Sequence, residues 1–167
     1  MVVLFFVFWG GVLRVWVSFV GLSWAAVCNT VWAVVRRGLF VPDGFVFLCT
    51  GGSRVVVERV VGKLRLVLGD FGVRVVEVED RGDLGYFVGV VDGVVGGLVR
   101  DGCEVAVDVG PGRKPMSIAM LLVALRYGVR AFYLYLEDES YRDVDYPLVP
   151  FPLQRLEEVS FGLVEGR

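Results

Sequence analysis

The stretch Glu104–Gly128, EVAVDVGPGRKPMSIAMLLVALRYG, places glycines, two cations and a hydroxyl within a few residues of one another. It reads as a buried strand (Val105–Val109), a glycine-rich turn (Gly110, Pro111, Gly112), a basic pair (Arg113, Lys114) and an apolar helix that carries Ser117 in its first turn. The start of a helix leaves backbone N–H groups without partners and carries partial positive charge. Glycines let a ligand approach the backbone, and a lysine beside them adds a full charge. That combination is the chemistry of a phosphate site.

Two further turns have related chemistry. Gly21-Leu22-Ser23-Trp24 follows one apolar run, and Thr50-Gly51-Gly52-Ser53 follows another and leads into Arg54. Hydroxyls, backbone amides and cations facing one crevice would suit phosphodiester oxygens. Each element also has a plainer reading. Ser23 and Ser53 can serve only as helix caps, Gly51 and Gly52 only the turn, and Arg113 and Lys114 only solvent. A basic pair at a helix start opposes the helix dipole, which favours a ligand-driven reason for it. Trp16, Trp24 and Trp32 read first as core, with Trp24 the best exception because it sits in a turn; Asp108 reads as structural. The pattern GxxxxGK[ST] is absent, and Gly110-Pro111-Gly112 lacks the third glycine of GxGxxG.

The elements that would position these turns alternate along the chain. Strands are expected at Leu13–Val20, Phe45–Cys49, Val73–Val78, Cys103–Val109 and Arg130–Leu136. Helices are expected at Trp24–Arg37, Arg54–Phe71 (ended by Gly72), Asp83–Arg100 and Lys114–Tyr127. Strand–helix alternation predicts an α/β fold: a Rossmann-like, mostly parallel sheet of about five to six strands with helices on both faces. Glu137–Asp145 is an acidic, polar loop, Tyr146–Pro152 is proline-rich, and Leu153–Val164 reads as a short terminal helix or arm. The expected organisation is an extension over residues 1–12, one Rossmann-like domain over 13–136, and a loop and arm over 137–167. In such sheets ligands bind beyond the carboxyl ends of the strands, where strand order reverses. The turns after the first and fourth strands would then flank one crevice.

Composition narrows the function. The chain has 167 residues, 56% of them hydrophobic, with a formal net charge of −2. That charge provides no global field for long nucleic acid, so phosphate binding must be local. The apolar excess points either to surface buried between subunits or to part of the chain meeting a membrane. There is no histidine, which removes the usual general base and the commonest metal ligand. Cys28, Cys49 and Cys103 are too scattered for a CxxC site or a disulfide framework and read as small buried hydrophobes, so a reducing cytoplasm is expected. Met1–Val35 carries one charge, Arg14, yet Gly10-Gly11, Arg14 and Gly21 interrupt it and Asn29 and Thr30 follow, which argues against a membrane span. Met1–Gly11 reads as an extension: an extra strand, a dimer contact or an effect of start-site choice.

Three passages, taken in order, resemble the CARF domain, the CRISPR-associated Rossmann-like module that binds cyclic oligoadenylates. They are VSFVGLSW leading into AAVCNTVWAVVRRG, then PDGFVFLCTGGSR, and VDVGPGRKPMS, in which a strand ends in Asp108 and Lys-Pro-Met-Ser opens a helix. The likeness spans about Leu13–Leu136. It departs from the pattern at Gly110 and Pro111, which stand where many members have Thr or Ser and then Gly; a hydroxyl and an N–H donor are thereby lost.

The resemblance implies a homodimer with a cyclic oligoadenylate, such as cyclic tetra-adenylate, lying across its two-fold axis. It also implies a stand-alone ring nuclease that switches off type III CRISPR signalling, with no cofactor and no metal. Lys114 and Ser23 would be catalytic. Gly21, Trp24, Thr50, Gly51, Gly52, Ser53, Arg54, Gly110, Gly112, Arg113 and Ser117 would bind the ligand. The alternatives are a non-catalytic sensor of the same ring acting through a separate partner, and a small α/β or membrane-associated protein whose glycine turns are only turns.

Overall fold

A computed structural model describes residues 12–159. The expectations for Met1–Gly11 and for the end of the terminal arm lie outside the described residues. Six strands form one sheet: β1 (Arg14–Val20), β2 (Gly44–Cys49), β3 (Gly72–Glu77), β4 (Glu104–Asp108), β5 (Arg130–Leu136) and β6 (Gln154–Val159). Four helices connect them: α1 (Trp24–Arg36), α2 (Arg54–Leu68), α3 (Leu84–Arg100) and α4 (Lys114–Tyr127). The strand order is β3-β2-β1-β4-β5-β6, parallel except for β6, which runs antiparallel to β5. Among the described residues no helix is long and apolar enough to cross a membrane.

Strand alternation sorts the core into two layers. Val15, Val17 and Phe19 of β1 face α3 and α4, packing with Phe87, Val91, Met116 and Met120. Trp16 and Val20 face α1 and α2, packing with Val27, Val31, Val60 and Leu64. Trp16 stacks on Phe132 of β5 at 5.6 Å between ring centroids. β2 is buried along its whole length, so it reads as an unbroken apolar run, as parallel strands covered on both faces do. The edges are guarded by charge: Arg74 and Glu77 on β3, and Arg155, Glu157 and Glu158 on β6.

Two expectations need correction. The second helix stops at Leu68 rather than Phe71, because Gly69 takes a positive φ of 76° and returns its N–H to the Arg65 carbonyl; Gly72 opens β3 instead. Residues 154–159 are a strand, not a helix or free arm. The open edge of β5 demands hydrogen-bonding partners, and β6 supplies them from Leu136↔Gln154 to Ala131↔Val159, fastened by Arg130 donating to both carboxylate oxygens of Glu158. The proline-rich stretch before it forms two short 3-10 turns, Tyr146–Leu148 and Phe151–Leu153.

The path from β5 to β6 matters for function. It is pinned along α1: Asn29 donates to the Val144 carbonyl and accepts from the Tyr146 N–H, and Lys63 of α2 donates to both oxygens of Asp145 at 2.8 Å. This strap crosses the carboxyl end of the sheet.

Candidate functional site

Strand order reverses between β1 and β4. β1 leads left to β2 and β3, whereas β4 and β5 build to the right, so the turns after β1 and β4 diverge and leave a crevice. The two turns approach closely at their bases. A Cβ placed on Gly21 would lie 3.6 Å from the Gly112 Cα and N. Gly112 itself has φ +96° and packs against Met116 and Phe19, a position that only glycine occupies without strain.

Each helix start has been dealt with differently. Ser23 caps α1, its hydroxyl accepting from the Ala26 N–H at 3.4 Å and donating to Asp143 Oδ1 at 2.8 Å. Asp83 caps α3 through the Gly85 N–H. At α4 the cap position is Arg113, whose side chain caps nothing, and Pro115 lies in the first turn. Pro115 has no N–H and Met116 donates its own to the Arg113 carbonyl at 2.9 Å, so the Lys114 N–H is the first-turn amide of α4 left for an anion.

The turn after β2 closes on itself. The Ser53 hydroxyl accepts the Thr50 N–H at 3.1 Å and is buried at 3% exposure. Ser53 is therefore a structural cap whose outer neighbours, Thr50 and Gly52, face the cleft.

Together these turns enclose an open cleft of about 650 Å³. The structure brings Gly21, Ser23, Thr50, Gly52, Ser53, Gly110, Gly112 and Arg113 onto its walls. It does not bring Gly51, Trp24, Arg54, Lys114 or Ser117 there. Trp24 is not a turn platform: it opens α1, is 7% exposed, and lies beneath Arg59 and Lys63 at 4.6 and 4.2 Å from its ring. Arg54 pairs with Glu77 at 3.1 Å. Ser117 donates to the Pro111 carbonyl at 3.4 Å and so braces the glycine turn. Lys114 is exposed at the first position of α4 and makes no ion pair among the described residues.

Three charged cleft residues were not legible in the sequence. Asp80 comes from the β3–α3 loop, and Arg142 and Asp143 come from the strap. Arg113 Nη2 donates to Asp80 Oδ2. Arg142 also lines a smaller side pocket of about 160 Å³, bounded by Tyr133, Tyr135, Thr30 and Gly110, which opens beside the first cleft. The only sequence signal for Arg142 and Asp143 was the acidic, polar character of 137–145. Their arrival at the cleft depends on the return path to β6.

Beneath the glycine turn sits Asp108, 1% exposed at the end of β4. Its Oδ1 accepts the Gly110 N–H at 2.9 Å, whereas Oδ2 is buried without a partner. Burial pushes this carboxyl up to about 8, with the Gly110 N–H opposing the shift. Burial therefore favours the neutral form of Asp108, and its Oδ1 fixes the start of the turn.

No protein-family model and no curated protein matches the sequence. Solved structures do match the fold. Csm6 from Enterococcus italicus, bound to cyclic hexa-2′-fluoro-hexa-dAMP, aligns over 90% of this chain with a TM-score of 0.60 and 15% identity. Can2 from Sulfobacillus thermosulfidooxidans, in complex with cyclic tetra-adenylate, aligns over 76% with a TM-score of 0.57 and 13% identity. A type III CRISPR defence DNA nuclease activated by cyclic oligoadenylate aligns over 92% with a TM-score of 0.56 and 20% identity.

The fold is CARF-like.

At these identities the likeness concerns the fold alone. The chain spans 43%, 32% and 22% of the length of these three proteins, respectively. The sheet explains why the cleft lies where it does: α1 and α4 leave the carboxyl ends of β1 and β4 toward opposite faces, which opens a crevice between those two turns.

Proposed function

We propose that the chain binds a cyclic oligoadenylate, most simply cyclic tetra-adenylate, in the cleft between the β1 and β4 turns of two symmetry-related copies. The observation that carries this reading is the close approach of Gly21 to Gly112, where a Cβ on Gly21 would lie 3.6 Å from Gly112, which joins the start of α4 to a hydroxyl-bearing turn in one CARF-like cleft. The backbone amides of Gly112 and Arg113 and the Ser23 hydroxyl would take phosphate oxygens, and the Tyr133 side pocket would take a base. The homodimer draws support from exposed apolar side chains. Ile118 and Leu122 lie one turn apart on α4 at 47% and 48% exposure, and Tyr133 and Tyr135 stand exposed on the α4 face of β5.

On this reading the protein also opens the ring. A ribose 2′-OH attacks the adjacent phosphorus; the O2′–P bond forms as the P–O5′ bond breaks. The 2′-OH proton leaves to solvent and the departing 5′-oxygen gains one, giving a linear product with a 2′,3′-cyclic phosphate. The fold would supply in-line positioning and charge stabilisation from Arg113, Lys114 and the Lys114 N–H. A second reading, a sensor that binds without cleaving, is favoured by one observation: Lys114 is absent from the cleft wall.

Incubating the protein with cyclic tetra-adenylate in EDTA, followed by mass spectrometry, tests both readings. Linear product is expected, and Lys114→Ala should reduce its rate at least ~100-fold. Binding with an intact ring selects the sensor; no binding of any cyclic oligoadenylate rejects the proposed ligand. Arg113→Ala should weaken binding about tenfold through loss of a charge-assisted phosphate contact, and unchanged affinity would remove Arg113 from the site.

A further inference from the structure

The cleft proposed to hold a polyanion already contains two carboxylates, and each sits on one of its anion-binding groups. Asp143 accepts the Ser23 hydroxyl at 2.8 Å over the start of α1, and Asp80 accepts from the Arg113 guanidinium. Of the two cations on the walls, Arg113 is thus paired with Asp80, whereas Arg142 pairs with Glu139 at 3.6 Å. These aspartates come from separate loops, and each loop is held from outside the cleft. The strap is fixed by Lys63 on Asp145 and Asn29 on Val144 and Tyr146. The Asp80 loop is fixed by the Glu79 N–H, which donates to the Tyr86 hydroxyl at 2.9 Å. Ser23 does not need Asp143 for folding, since its oxygen already caps α1 through Ala26.

We infer that Asp143 and Asp80 are internal competitors of the ligand: each occupies a phosphate subsite, and an incoming phosphodiester must displace it. This rests on the anion-binding reading of the cleft. An anion at the start of α1 is favourable whether it belongs to the protein or to a ligand, and two anions on one donor repel each other. A carboxylate that stays in place would sit against the phosphate, so binding carries the cost of moving it. The device suits a site that must ignore single, abundant phosphates. A ring displaces both aspartates at once and recovers their donors together, whereas a lone phosphate recovers only one set. Removing either charge should therefore tighten binding, the opposite of what a contact residue does.

The test compares wild-type protein with Asp143→Asn and Asp80→Asn. Asparagine keeps the size of the side chain and an oxygen that can accept from Ser23 or Arg113, so the thermal midpoint should stay close to that of the wild type. Calorimetric titration with cyclic tetra-adenylate should show each variant binding about three- to tenfold more tightly at 50 mM salt, with the gain shrinking at 500 mM as the repulsion is screened. Wild-type binding with equal or weaker binding by both variants overturns the inference and leaves the proposed function standing. If neither wild type nor variants bind the ring, the proposed ligand fails, and a titration with inorganic pyrophosphate decides the inference separately. Tighter pyrophosphate binding by Asp143→Asn supports it, and no difference overturns it.

Discussion

Asp108→Asn is expected to match the wild-type stability near pH 4 and to exceed it progressively as pH climbs to 8. The reason is linkage. In the fold the Asp108 carboxyl holds its proton up to about 8, against an ordinary value of 3.8 for the unfolded chain. Between those limits the unfolded state binds fewer protons than the folded one. Asp108 therefore favours the fold fully below the lower value, and that contribution is lost as pH rises, with a slope of up to about 1.4 kcal/mol per pH unit. Above about 8 both states are ionised and the slope ends. Asparagine does not titrate, and its buried Nδ2 lacks a partner much as the acid's Oδ2 does. Urea unfolding at pH 5, 6, 7 and 8 checks this: the wild-type curve should fall across the range while the variant curve stays comparatively flat. Parallel curves would mean that Asp108 is ionised in the fold. No charged side chain perturbs this carboxyl; the groups that do are its own burial and the hydrogen bonds that oppose it.

Gly112→Ala should both destabilise the protein and close the site. At φ +96° an L-residue is strained, and the new methyl would lie 3.1 Å from Met116 Sδ, 3.2 Å from Met116 Cβ and 3.3 Å from Phe19 Cβ. Phe19 and Met116 are buried and cannot simply swing away. The combined strain and crowding should cost about 2 to 4 kcal/mol. Relief by shifting the turn would move Gly112 relative to Gly21 and spoil the junction on which the cleft depends. Gly102→Ala is the matched control. Gly102 also has a positive φ, +78°, but a Cβ there meets nothing within 4 Å. It should lose only about 1 kcal/mol, from backbone strain, and keep its ligand binding. Equal denaturation midpoints for the two variants would show that the packing around Gly112 is looser than described.

The alternation of elements was legible because each one is locally over-determined. β2 is an apolar run between turn residues, and α2 repeats its buried apolar positions at Val57, Val60 and Leu64 with Glu58, Arg59, Lys63 and Arg65 between and beside them. The glycine turns were legible because helix starts and positive φ values constrain residue type at short range. The turn after β4 announced itself through Gly112 and Arg113, both of which reach the cleft. Lys114 and Trp24 carried an equal signal and do not line it. Position next to a turn does not set side-chain direction: on a helix each residue turns by about 100° from the last, so Trp24 faces α2 although Ser23 faces the cleft.

Residues 154–159, QRLEEV, show why the remainder was hidden. Their charges alternate in a way that suits an exposed helix as well as an edge strand. The choice is made by the unpaired backbone of β5, some twenty residues earlier in the chain. The same pairing draws the strap across the sheet and delivers Arg142 and Asp143 to the cleft.

The amino-acid sequence alone determined the α/β class, the order of the elements and the turns capable of meeting an anion, because those follow from patterns repeated within a few residues. The tertiary structure alone decided which of those turns share a cleft, that Asp108 is buried beneath one of them, and that Asp80 and Asp143 reach Arg113 and Ser23 within it. These are relations between side chains from distant segments, and they exist only once the sheet has set the distances between them.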